Sequence, residues 1–177
     1  MTMRKPETSQ FQGRYFEDFV VGDIYYHPMG KTVTQMDNQL YTLATQNTAK
    51  THVDVNYAAQ TEYGLPLVNS LFTLSLVMGQ TTLDLSFNVY ANLGWDEVRL
   101  PSPVFEGDTI YSRSKVLSVR ESKSKPSVGI VHVASEGYNQ NGVVVITFRR
   151  NFMVYRKGFG PNLESIRPDE SSLPAID

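Results

Sequence analysis

The chain contains no cysteine, which excludes disulfides, thiolate metal sites and a cysteine nucleophile. Histidine is scarce as well: His27, His52 and His132 are the three among 177 residues. They lie far apart and share no zinc-type spacing, so no metal site is expected. No apolar run approaches the roughly 20 residues that cross a bilayer. The stretch from Met1 to Gln12 is polar and lacks the apolar core of a secretory signal. Charge of one sign is not in excess, since 16 basic and 18 acidic residues leave a net of −2. Composition therefore gives no reason to expect nucleic acid as a partner. No glycine-rich phosphate loop is present. The expectation that remains is a soluble, cytoplasmic globular protein with neither a membrane nor a nucleic-acid partner.

What is there divides into two halves. One domain is expected over 14–157, with tails at 1–13 and 158–177; the second tail scatters Gly158, Gly160, Pro161, Pro168 and Pro174 among charges. A chain of this length can bury roughly 70% of its unfolded surface without a staple. In the first half, Thr34 and Asp37 make an approximate capping box. Met36, Leu40, Leu43 and Ala44 then recur at helical spacing, which predicts a helix over 35–46 with one apolar face. Asp54 is placed to cap a short helix over 55–63, stopped by Gly64 and Pro66. Over 69–81 the apolar residues nearly encircle the helix, the pattern of a buried helix.

The second half reads as strands. The segments 89–100, 109–123, 128–140 and 143–156 are rich in β-branched and aromatic residues. Asn141-Gly142 predicts a type I′ hairpin between the last two, Gly107-Asp108 predicts another turn, and an extra strand is expected near 23–31. In the final strand Val144, Ile146, Phe148, Phe152 and Val154 share a face that Arg150 interrupts. One buried helix followed by long antiparallel strands predicts an α+β fold, a sheet wrapped around a central helix. Its open edge favours a dimer.

The polar loop Gln46-Asn47-Thr48-Ala49-Lys50-Thr51-His52-Val53-Asp54 sits between two helical runs and presents one of the few histidines. An imidazole titrates near neutrality, at about 6.5, and suits reversible proton transfer. Asn47 also reads as a turn former or helix terminator, and Asp54 as a helix cap.

This loop resembles the MaoC-like dehydratases, the family of (R)-specific enoyl-CoA hydratases, whose motif is approximately Gly-Asp-x-Asn-Pro-x-His. Two further segments carry the resemblance. Gly64-Leu65-Pro66-Leu67-Val68-Asn69-Ser70 stands where the family's central helix opens. Val98-Arg99-Leu100-Pro101-Ser102-Pro103-Val104-Phe105-Glu106-Gly107-Asp108-Thr109 is similar to the family's Arg-Phe-x-x-Pro-Val-x-x-Gly-Asp-Thr. The resemblance covers residues 14–157 and implies a single hotdog domain that works as a homodimer. It also implies a cofactor-independent hydro-lyase acting on an enoyl-CoA thioester. By position, His52 is then the acid/base and the Ser70 backbone N–H the oxyanion donor, while Asn69 caps the helix or meets the ligand. Asn47 stands where the family has a carboxylate. An amide cannot act as a base but can hold a water. This Asn variant, with its Val-Asn-Ser helix entry and Glu-Ser-Lys-Ser-Lys-Pro segment, is similar to members that handle branched or dicarboxylic five-carbon acyl-CoAs. Itaconyl-, mesaconyl- or methylglutaconyl-CoA is the substrate this implies.

Other readings complete the sequence picture. The cations Arg113, Lys115, Arg120, Lys123 and Lys125 are read either as a solvated sheet edge or as a cradle for CoA phosphates. Asp54 either orients His52 or only caps. Arg99 and Arg150 are either ion-paired near the sheet or available to a substrate carboxylate. His132 reads as structural, and His27 as an ordinary loop or strand-end residue. Two rival functions are an acyl-CoA thioesterase and a non-catalytic acyl-CoA-binding subunit. The first is disfavoured because 69–81 holds no Asp or Glu; the second is kept open by Asn47.

Overall fold

The computed structural model describes residues 11–161. Most of the two expected tails, 1–10 and 162–177, lies outside those residues. Of the first tail, Phe11 packs edge-on against Phe87.

Two short strands, β1 (Ile24–Tyr26) and β2 (Lys31–Thr32), precede helix α1 (Gln35–Ala44), the short helix α2 (Val55–Ala58) and the central helix α3 (Ser70–Gln80). A π-helical turn, Thr82–Ser86, extends α3. Then come β3 (Val89–Arg99), β4 (Thr109–Glu121), β5 (Val128–Tyr138) and β6 (Val144–Tyr155). The sheet order is β1-β4-β5-β6-β3, with β2 pairing the start of β4. All pairings are antiparallel. A long-stranded antiparallel sheet against one helix is the hotdog arrangement expected from the sequence.

Strand alternation sorts side chains cleanly. On β4, Ile110, Ser112, Ser114 and Val116 point inward and are buried. On β6, Ile146, Phe148, Arg150, Phe152 and Val154 do the same. The inner face carries two apolar clusters. One gathers Val77, Ile110, Ile146 and Phe148 beneath α3. The other gathers Phe19, Leu85, Val133 and Phe152 beneath the N-terminal segment. Between them a polar belt crosses three strands through Ser112, Ser114, Ser135 and Arg150. Gln80 closes it from the helix side, accepting from the Ser112 hydroxyl and donating to the Ile110 carbonyl at 2.7 and 2.8 Å. Helix and sheet approach closely at Gly137, where an added Cβ would lie 2.5 Å from a Val77 methyl.

Two expectations need correction, the type I′ turn and the all-round burial of the central helix, and two points that the sequence left open are placed. The turn at Asn141-Gly142 is not type I′, because Gly142 alone of the two has a positive φ, 75°. Asn139 pairs with Val143 instead, and the Gly142 N–H closes onto the Asn139 carbonyl, giving a three-residue loop. The apolar face of α1 points outward: Met36, Leu40 and Leu43 are 69%, 62% and 68% exposed, while Asn38 and Thr42 are buried. The central helix is enclosed on one side only, with Thr73, Val77 and Gln80 inside and Leu71 and Ser75 outside. Arg150 has no ion-pair partner among the described residues. It is buried, donates to Asn92 and Thr81, and stacks over Phe152. Burial lowers its pKa to about 10.

Candidate active site

The His52 loop is built by the end of α1. The chain leaves that helix through Gln46, whose φ is 55°. The Asn47 N–H returns to the Thr42 carbonyl and the Gln46 N–H to the Leu43 carbonyl, the paired bonds of a Schellman terminus. Asn47 Oδ1 then accepts from the Ala49 N–H at 3.0 Å. A 3₁₀ turn over Lys50–His52 follows, and Asp54 caps α2 by accepting from the Tyr57 N–H at 2.9 Å.

Asn38, which the sequence reading missed, locks this loop to the central helix. Its Nδ2 donates to the carbonyls of His52 and Leu67 at 3.2 and 3.1 Å. Its Oδ1 accepts from the Asn69 N–H at 2.9 Å. One buried amide thus ties three backbone segments. The available signal was its place on α1 beside Thr42, opposite the apolar stripe. Thr42 accepts from Asn69 Nδ2 at 3.2 Å, and Asn69 Oδ1 caps α3 through the Leu71 N–H. Asn69 is therefore fully used in the fold.

His52 Nδ1 lies 2.8 Å from the Leu67 carbonyl oxygen. A carbonyl can only accept, so Nδ1 carries the hydrogen and the neutral ring keeps its lone pair on Nε2. The ring lines a cavity of about 240 Å³ together with Tyr63, Ser70, Thr73, Ser102 and Val104. Ser70 is the first residue of α3, and its N–H has no partner among the described residues. A free N–H at the positive end of an 11-residue helix favours developing negative charge. His52 and Ser70 thus line the same cavity.

The remaining expected residues lie elsewhere. Asn47 does not line the cavity. Arg99 ends β3 just before the cavity wall at Leu100, and its guanidinium donates to the Val98 carbonyl. Arg120 sits near the far end of β4, roughly 36 Å from the strand's start at ~3.3 Å per residue, and Lys123 and Lys125 follow it beyond the strand. Lys125 rests over the Tyr90 ring, 4.6 Å from its centroid. His132 lies half-buried on β5, outside the cavity. His27 is buried in a network of its own: Nδ1 donates to Asp84 and Nε2 accepts from Ser114, each at 2.9 Å.

A family model described as mesaconyl-CoA hydratase matches residues 2–162. The chain belongs to this family. Beta-methylmalyl-CoA dehydratase of Chloroflexus aurantiacus is 33% identical to it, over 93% of this chain and 47% of its own length. Mesaconyl-CoA hydratase of Cereibacter sphaeroides is 36% identical, over 82% and 42%. A solved structure from Chloroflexus aurantiacus, described as a MaoC domain protein dehydratase, superposes with a TM-score of 0.81 at 32% identity, covering 92% of this chain and 46% of that one. The chain thus spans about half the length of the curated relatives it matches.

Proposed function

We propose that this protein adds water to, or removes it from, the double bond of a short branched or dicarboxylic enoyl-CoA such as mesaconyl-CoA. The observation that carries the reading is the pairing, in one small cavity, of an open His52 Nε2 with the free Ser70 N–H. In the hydration direction His52 Nε2 takes a proton from water while the water oxygen bonds to the β-carbon. The electron pair of the double bond moves toward the thioester, whose oxygen accepts a hydrogen bond from the Ser70 N–H. The imidazolium then returns the proton to the α-carbon. Water is the sole co-reactant, so no cofactor is needed. Asn47 Oδ1 accepts from the Ala49 N–H and the residue lies outside the cavity lining, so its part in the chemistry is to shape the loop that carries His52. Arg120, Lys123 and Lys125 would serve a CoA phosphate only if another copy brought them near a cavity. The chemistry fits a cytoplasmic protein; among the described residues no helix is long and apolar enough to cross a membrane.

A second copy of the chain is the partner we propose. Among the described residues the β3 edge is unpaired on one side and exposes Leu93 and Trp95, while α1 exposes Met36, Leu40 and Leu43. Sedimentation of the purified protein is expected to give twice the chain mass.

The activity test follows conjugated-enoyl absorbance and free thiol together, with crotonyl-, itaconyl- and mesaconyl-CoA. Loss of conjugation without thiol is expected. Thiol release would instead mark a thioesterase, and neither signal a binding subunit.

A further inference from the structure

We infer that the hydroxyls of Tyr63 and Ser102 bind the free carboxylate of a dicarboxylic acyl-CoA, so that this carboxylate is recognised by neutral donors rather than by a cation. The inference rests on the enoyl-CoA reading of the cavity. A trans-butenedioyl group places its thioester and its carboxylate at opposite ends of a four-carbon chain. The donor for one end therefore cannot be the donor for the other. Ser70, at the mouth of α3, belongs to the thioester end together with His52 Nε2.

Of the other side-chain polar groups in the cavity wall, Thr73 Oγ1 faces the Asn69 carbonyl. Tyr63 and Ser102 remain, and neither hydroxyl has a partner among the described residues. They come from separate segments, the turn after α2 and the Leu100–Val104 wall. The Tyr63 ring, 43% exposed, packs beside Phe105 with centroids 6.4 Å apart. No Lys or Arg lines this cavity. A carboxylate that enters meets neutral donors there, the two hydroxyls being the side-chain ones left without a partner, and a cavity of about 240 Å³ has room for a short acyl group rather than a long chain.

The test uses saturated ligands that cannot react. Calorimetry measures binding of methylsuccinyl-CoA, which keeps the carboxylate, and butyryl-CoA, which lacks it, to the wild type, Tyr63→Phe and Ser102→Ala. Each substitution is expected to weaken methylsuccinyl-CoA roughly tenfold, the worth of a hydrogen bond to a charged group, and to leave butyryl-CoA within twofold. Equal weakening of both ligands, or none, overturns the inference, as does a wild type that fails to bind methylsuccinyl-CoA. A wild type that discriminates as expected yet hydrates no enoyl-CoA supports the inference and sinks the hydratase reading alone.

Discussion

His52 and His27 are both oriented through Nδ1, the first by the Leu67 carbonyl at 2.8 Å and the second by the Asp84 carboxylate at 2.9 Å. They differ in what the other nitrogen meets. For His27, Nε2 accepts from the Ser114 hydroxyl, which in turn lies 2.7 Å from Ser135. The serine–histidine–aspartate order resembles a hydrolytic relay, but the ring is buried and every lone pair is used. For His52, Nε2 is left over and a cavity adjoins it. A proton relay needs an open valence and access as well as alignment, and only one of the two histidines has all three. The His27 network instead ties β1, β4, β5 and the turn after α3 across the polar belt.

The sharpest way to break this comparison is to remove each histidine. His52→Ala is expected to lower kcat by about 10²–10⁴-fold, the usual worth of a positioned acid/base, with an unchanged melting temperature. His27→Gln should leave kcat within a few-fold and cost about 2 kcal/mol, since it leaves buried hydrogen-bonding groups unsatisfied. Steady-state kinetics and denaturant melts on both variants decide the matter; a reversed pattern would exchange the two roles.

The oxyanion donor is next in expected size. Ser70→Pro deletes a single N–H at a helix position that tolerates proline. Asn69, with φ −57° and ψ 126°, already has the backbone that must precede a proline. We expect kcat to fall about 10²–10³-fold with the circular dichroism spectrum retained. Asn38→Ala should act on both sides of the comparison. It would lose about 2–3 kcal/mol by orphaning the Asn69 N–H and two carbonyls, and kcat roughly tenfold through a loosened His52 loop.

The pH dependence separates the histidines again. Burial holds the His27 pKa below 6.5, against the opposing pull of Asp84. Unfolded, the ring protonates at about 6.5, so in the window below that value the unfolded chain binds the extra proton. This contribution to stability is complete above about pH 6.5 and drains away as pH falls through the lower folded value. Melts from pH 8 to pH 5 should show a loss that His27→Gln flattens. The smallest effect is expected from Asn47→Ala: about 1 kcal/mol from the lost turn and less than tenfold in kcat. A hundredfold loss would show that the amide holds the reacting water.

The strands were readable because a period of two survives in β4, β5 and β6, and the Thr34–Asp37 box because capping is local. The helix α1 illustrates the limit. Its stripe of Met36, Leu40 and Leu43 correctly marks a helix but not which way it faces. Here the helix docks through Asn38 and Thr42, and the apolar side is left outward. The His52 loop and the start of α3 could be picked out because both resemble a family motif. The cavity wall could not, since Tyr63, Ser102 and Val104 lie on irregular segments that no periodicity links. Arg150 was visible as an interruption, but its neutral partners on β3 and at the end of α3 depend on long-range packing.

The β3 edge has one more consequence. Its ladder with β6 breaks register three times, between Val89 and Ala91, Asn92 and Gly94, and Asp96 and Arg99. A flat, regular edge of this length and apolarity would be a template for unlimited strand addition. The bulges twist the open side out of a repeating pattern. The edge is therefore protected from fibre growth by its own irregularity, and a mutation that smoothed it would endanger solubility before it touched the chemistry.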